Sequence, residues 1–137
     1  MFFKKKENKT EDNFLVNICA LLIHAAKIDE NYTNKEEEII KKTLLQLGST
    51  SEELNKTIKE AKIIEENSNQ ILDFTREVKN LAEEDKIKII EALWSIIYSN
   101  KDADIYETNL MRRLAGLLYI DSKTMGDIKN KIQNQKS

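Results

Sequence analysis

Asp29, Asn31, Thr33 and Glu36 place side-chain oxygens at the first, third, fifth and eighth positions of one polar stretch. Asn100, Asp102, Asp104 and Glu107 do the same 71 residues further along. Oxygen donors at alternating positions suit a hard divalent cation such as calcium, which takes ~6 to 8 oxygen ligands. The comparison with an EF-hand holds for the first three donors and then fails. Position six is Asn34 or Ile105 instead of glycine, and position twelve, where a bidentate Glu would close the shell, is Ile40 or Met111. A weak site for calcium or another divalent cation therefore needs Glu36 or Glu107 to turn inward, with water completing the shell. The candidate metal ligands are Asp29, Asn31, Glu36, Asn100, Asp102, Asp104 and Glu107. The same residue types also build turns and helix caps. Thr33-x-x-Glu36 is a capping box, and Asp104 with Glu107 repeats its geometry.

Other chemistry finds little material. His24 is the single histidine and Cys19 the single cysteine, so zinc ligation, a Ser-His-Asp or Cys-His arrangement and a disulfide framework all lack residues. No glycine-rich phosphate loop occurs. Lys and Arg number 22 against 24 Asp and Glu, which argues against a nucleic-acid surface built on bulk positive charge. The apolar run Phe14 to Ala26 is interrupted by Asn17 and His24 and is far shorter than the ~20 apolar residues of a membrane span. Nothing resembles a signal peptide, and a lone cysteine in an apolar run reads as core in a reducing, cytoplasmic setting. The stretch Met1-Phe2-Phe3-Lys4-Lys5-Lys6 allows weak peripheral contact with an anionic membrane, but frayed chain is its simpler reading.

The elements that must position the acidic stretches are helices. The chain has no proline and three glycines, so breakers are nearly missing, and apolar residues recur at helical spacing almost throughout. Residues 1–11 read as a flexible basic segment ahead of one helical domain, 12–137. A first helix is expected over about 12 to 28 and, apolar on nearly all sides, should be central. A second starts after Thr33, buries Ile40, Leu44 and Leu47, and ends at Gly48. Ser49 to Glu53 open a third carrying Leu54, Ile58 and Ala61, and Glu65 to Asn69 read as the connector between halves. A fourth helix uses Ile71, Phe74, Val78 and Leu81. The fifth, about 84 to 99, presents Ile87, Ile90, Trp94 and Ile97, with Trp94 facing the first helix and Tyr98 packed beside it. A sixth carries Leu110, Met111, Leu114, Leu117 and Leu118; Asp121-Ser122 open a last one with Met125, Ile128 and Ile132. The fold class is all-α, about seven helices in a single bundle of two pseudo-repeated helix-loop-helix halves.

The acidic stretches resemble those of the tellurite-resistance TerB-like family, in which a paired Asp-Gly-x-x-x-x-x-Glu element lies between helices. Asp29 and Glu36 match the ends of that element in the first copy, and Asn100 to Glu107, with Asp102, Asp104 and Tyr106, match the second. Arg112-Arg113 followed by Leu114-Ala115-Gly116-Leu117-Leu118 is similar to the family's next helix, and the resemblance covers about residues 14 to 130. Both glycines of the element are replaced, by Glu30 and Lys101, and the second leading Asp is Asn100. The resemblance implies a seven-helix bundle, a cytoplasmic setting, a link to stress responses and a metal-binding surface without a catalytic reaction. A related helical module precedes the J-domain of a membrane-anchored co-chaperone, so the fold also permits protein docking.

Two functions compete. The first is a non-enzymatic helical module that engages a protein partner and is tuned by a divalent cation at the acidic loops. The second is a metal-dependent accessory enzyme using the same carboxylates, which would have to work without imidazole ligands or a general-base histidine.

Overall fold

The computed structural model describes residues 2–27, 34–67, 72–75, 78–99 and 105–136, with side chains described from Phe14 onward except at 72, 73, 105–107 and 136. Seven α-helical segments occur among these residues: α1 (Phe2–Lys27), α2 (Asn34–Gln46), α3 (Leu54–Asn67), α4 (Leu72–Thr75), α5 (Glu83–Tyr98), α6 (Ile105–Leu117) and α7 (Ser122–Lys136). A 3-10 turn, Val78–Asn80, stands between α4 and α5, and no strand occurs among the described residues.

The two most apolar helices are the two most buried. From Leu15 to Ala26 every residue of α1 is buried except Asn17 and His24, which are half-buried. α5 buries Ile89, Ile90, Ala92, Leu93, Trp94, Ile96, Ile97 and Tyr98. α1 packs against α2, α3, α4 and α5, while α5 also carries α2 and α7. One contiguous core results, to which α6 adds Met111 and Leu114, the turn after it Leu118, and α7 Met125, Ile128 and Ile132. Each such side chain contributes ~1.5 to 3 kcal/mol when fully buried, so the central pair supplies much of the driving force.

The starts of α3 and α7 and the ends of α2 and α6 follow capping chemistry, while Ala82 ahead of α5 provides no side-chain cap. The Thr50 hydroxyl accepts the Glu53 N–H at 3.3 Å ahead of α3, and Asp121 Oδ1 accepts the Thr124 N–H at 2.6 Å ahead of α7. α2 ends as expected at Gly48, whose φ is 112°. There the Ser49 N–H donates to the Leu44 carbonyl at 2.9 Å and the Gly48 N–H to the Leu45 carbonyl at 3.2 Å, a Schellman turn. α6 ends the same way, with Ile120 N–H on the Ala115 carbonyl at 2.9 Å and Tyr119 N–H on the Gly116 carbonyl at 3.4 Å. The bounds of α6 stand 71 residues beyond those of α2, and the end of α5 stands 71 beyond that of α1.

Three expectations need correction. α1 begins at Phe2, ten residues early, because Lys, Glu, Asn and Thr between Phe3 and Phe14 include no helix breaker. Where one fourth helix was expected, the described residues form α4 and a 3-10 turn, and Phe74 and Val78 are both buried; Asp73 and Thr75 are poor helix formers. The supposed connector at Glu65 is part of α3, which runs to Asn67, and Glu65 is buried.

Candidate functional site

The two acidic stretches occupy corresponding places in the chain, the first between the end of α1 at Lys27 and the start of α2 at Asn34, the second between Tyr98 of α5 and Ile105 of α6. Asp29, Asn31, Asn100, Asp102 and Asp104, with the cap residue Thr33, lie outside the described residues. So does the question whether the two loops face one another across a cleft. Glu107 lies on the helical backbone of the first turn of α6, and its side chain is outside the described set.

Glu36 is the one candidate ligand whose side chain is described, and it is fully buried, at 0% exposure. It stands one turn before Ile40 on the face that also buries Thr43 and Leu44, so the apolar stripe of α2 begins with a carboxylate. A carboxylate in that position is costly unless satisfied by polar partners, and Glu36 does have an interaction within the described structure. Its burial is compatible with a cation ligand and with a capping role alike.

Both helices flanking the first loop are tied to α3 by charge. Glu65 accepts from Lys27 Nζ at 2.7 Å through Oε1 and meets His24 Nδ1 at 3.2 Å through Oε2. Lys62, one turn earlier on α3, reaches Glu37 of α2 at 3.5 Å. Ile23, Lys27, Lys62, Glu65 and Glu66 line a crevice of about 180 Å³ at this junction. His24 also lies 6.4 Å from the Phe74 ring, centroid to centroid, as a partly buried helix-face imidazole. Sequence reading missed the role of Glu65 because a polar run resembles a linker; His24 and Lys27 on one helix face were the available signal for a carboxylate partner.

Cys19 is buried, and burial pushes its thiol up to about 12, which makes it inert core. Trp94 is buried as expected; its ring stacks on Tyr98 at 5.8 Å and carries Lys129 of α7 at 5.5 Å. Among the described residues, no group of three or more His, Cys, Asp or Glu is arranged to hold a metal ion. Nor is any described helix long and apolar enough to cross a membrane.

The family model described as tellurite resistance protein TerB matches residues 15–130. No curated protein and no solved structure matches the chain.

Proposed function

The chain belongs to the TerB family, and from that premise we propose that it is a non-enzymatic, cytoplasmic helical module that docks a protein partner and is tuned by a weakly held divalent cation. The observation that carries this reading is the buried carboxylate of Glu36 at the first turn of α2. In the first loop Asp29, Asn31 and Glu36 would hold the ion; in the second, Asn100, Asp102, Asp104 and Glu107 would. A bound ion would draw each loop onto the start of the following helix. Since α3 is tied by Glu65 and Lys62 to both helices around the first loop, an ion held there would bear on the α3 surface. That surface exposes Ile63 and Ile64, at 53% and 38%, beside Lys62, and these two side chains offer the partner an apolar foothold.

Titration calorimetry with calcium, magnesium and manganese tests the cation part: saturable heat is expected in wild type and a reduced response in Asp102→Asn plus Asp104→Asn. The absence of heat at tens of millimolar of each ion would count against it. Docking is tested by comparing partner retention in wild type and in Ile63→Asp plus Ile64→Asp, which should lose it.

A further inference from the structure

We propose that the cavity between α6 and α7 binds a small amphipathic carboxylate, its apolar body over Trp94, Met111 and Met125 and its charged end between Arg112 and Lys129. This inference does not rest on the docking reading above. The cavity measures about 630 Å³, within the range of ~300 to 1,000 Å³ common for small-molecule sites. Gly116 on α6 and Gly126 on α7 both line it, and an added Cβ at either would meet nothing within 4 Å. Glycine inside a helix destabilises it relative to alanine, and here two helices carry that cost where they border the same opening.

The wall sets the ligand's chemistry. Its floor is apolar and adaptable, since methionine side chains refit around varied shapes. Its polar groups favour an anion. Among the described residues neither Arg112 nor Lys129 has a carboxylate at ion-pair distance, although the chain carries 24 acidic residues. The one carboxylate lining the cavity, Asp121, is engaged by the Thr124 N–H. The indole N–H of Trp94 is buried without an acceptor, the only such side-chain atom among the described residues. Arg112 offers the planar fork that matches a carboxylate, and Lys129, held over the Trp94 ring, offers a point charge beside it.

Trp94 is the only tryptophan, so its emission reports this cavity directly. Octanoate, kept well below micelle-forming concentrations, should produce a saturable change in Trp94 emission and shift its single indole N–H resonance. Arg112→Ala plus Lys129→Ala should weaken binding about tenfold or more, the loss of one or two charge-assisted contacts. Gly116→Leu should fill the cavity and abolish binding; Gly126→Met serves the same end from the facing helix, and each variant is used only with wild-type helical content and cooperative melting. No saturable response by ~10 mM octanoate, beyond the millimolar limit of weak specific binding, would overturn the proposal. So would 1-octanol binding as tightly as octanoate, or a response that survives in the filled variants.

Discussion

Gly48 and Tyr119 hold the same position in two Schellman turns 71 residues apart, with φ of 112° and 58°. Glycine takes a positive φ without steric cost, whereas a side chain with a Cβ at that position is strained by roughly 1 to 2 kcal/mol. Tyr119 does not recover that cost by burial, being 70% exposed; its ring faces Lys86 Nζ at 5.8 Å, a contact worth ~0.5 to 1 kcal/mol. Tyr119→Gly should therefore raise stability by ~0.5 to 1 kcal/mol in urea unfolding, and Gly48→Ala should lower it by ~1 to 2 kcal/mol. A destabilised Tyr119→Gly would show that the Lys86 contact outweighs the backbone strain.

Those turns also show what the amino-acid pattern can and cannot reveal. The end of α2 was legible because glycine after an apolar stripe signals a stop; the matching end of α6 was not signalled by tyrosine, since only the hydrogen bonds of Ala115 and Gly116 reveal its turn. The central helices were legible because an all-apolar surface has to be enclosed. The 3-10 geometry of Val78–Asn80 was hidden, because Phe74 and Val78 keep helical spacing. The acidic stretches stood out by composition, while the cavity beside Trp94 is assembled from residues of α5, α6 and α7, which no spacing along the chain encodes.

Trp94→Ala should destabilise the protein by ~3 to 5 kcal/mol, the usual cost of emptying a large buried site. Trp94→Phe should cost at least ~2 kcal/mol less, because it keeps most of the ring while deleting the unpaired N–H, whose burial is itself unfavourable. Similar losses for the two variants in denaturant titration would mean that the indole nitrogen has an acceptor after all.

Cys19 should resist thiol reagents in the native state and react at the rate of unfolding. Its thiol is raised from 9.0 to about 12 by burial. Over that window the unfolded chain gives up the proton while the folded one keeps it. Ionisation then favours unfolding, so the contribution present below pH 9 is lost as pH rises, with a slope of at most about 1.4 kcal/mol per pH unit. Alkaline melting of Cys19→Ala should be less steep than that of wild type, and superimposable pH profiles would rule out this source.

Glu65→Ala should cost ~1 to 2 kcal/mol, less than a fully buried ion pair, because His24 and Lys27 are 37% and 43% exposed and solvent screens both contacts. Hydrogen exchange should quicken at the end of α1 and around Glu65 in α3, and not in α7. Uniform acceleration along the chain would indicate global destabilisation instead of a local tie between these helices.

Calcium should bind weakly, with a dissociation constant around ~10⁻⁴ to 10⁻³ M, because neither loop has the closing bidentate Glu and Asn100 contributes only a neutral oxygen. At ten times that constant the ion adds only ~1.4 kcal/mol of stability, seen as a small rise in melting temperature. The second loop, with Asp102, Asp104 and Glu107, should matter more than the first, so Asp102→Asn plus Asp104→Asn should lose most of the shift. Glu36→Gln then separates the two roles of a carboxylate buried at 0% exposure. Glutamine serves a capping box as well as glutamate does, so a purely capping residue leaves both the melting temperature in chelator and the calcium shift at wild-type values. If the first loop holds an ion, chelator melting stays near wild type while the calcium-dependent increment shrinks, because a charged ligand has become a neutral one. An equal increment in wild type and Glu36→Gln would assign the buried carboxylate to the cap alone.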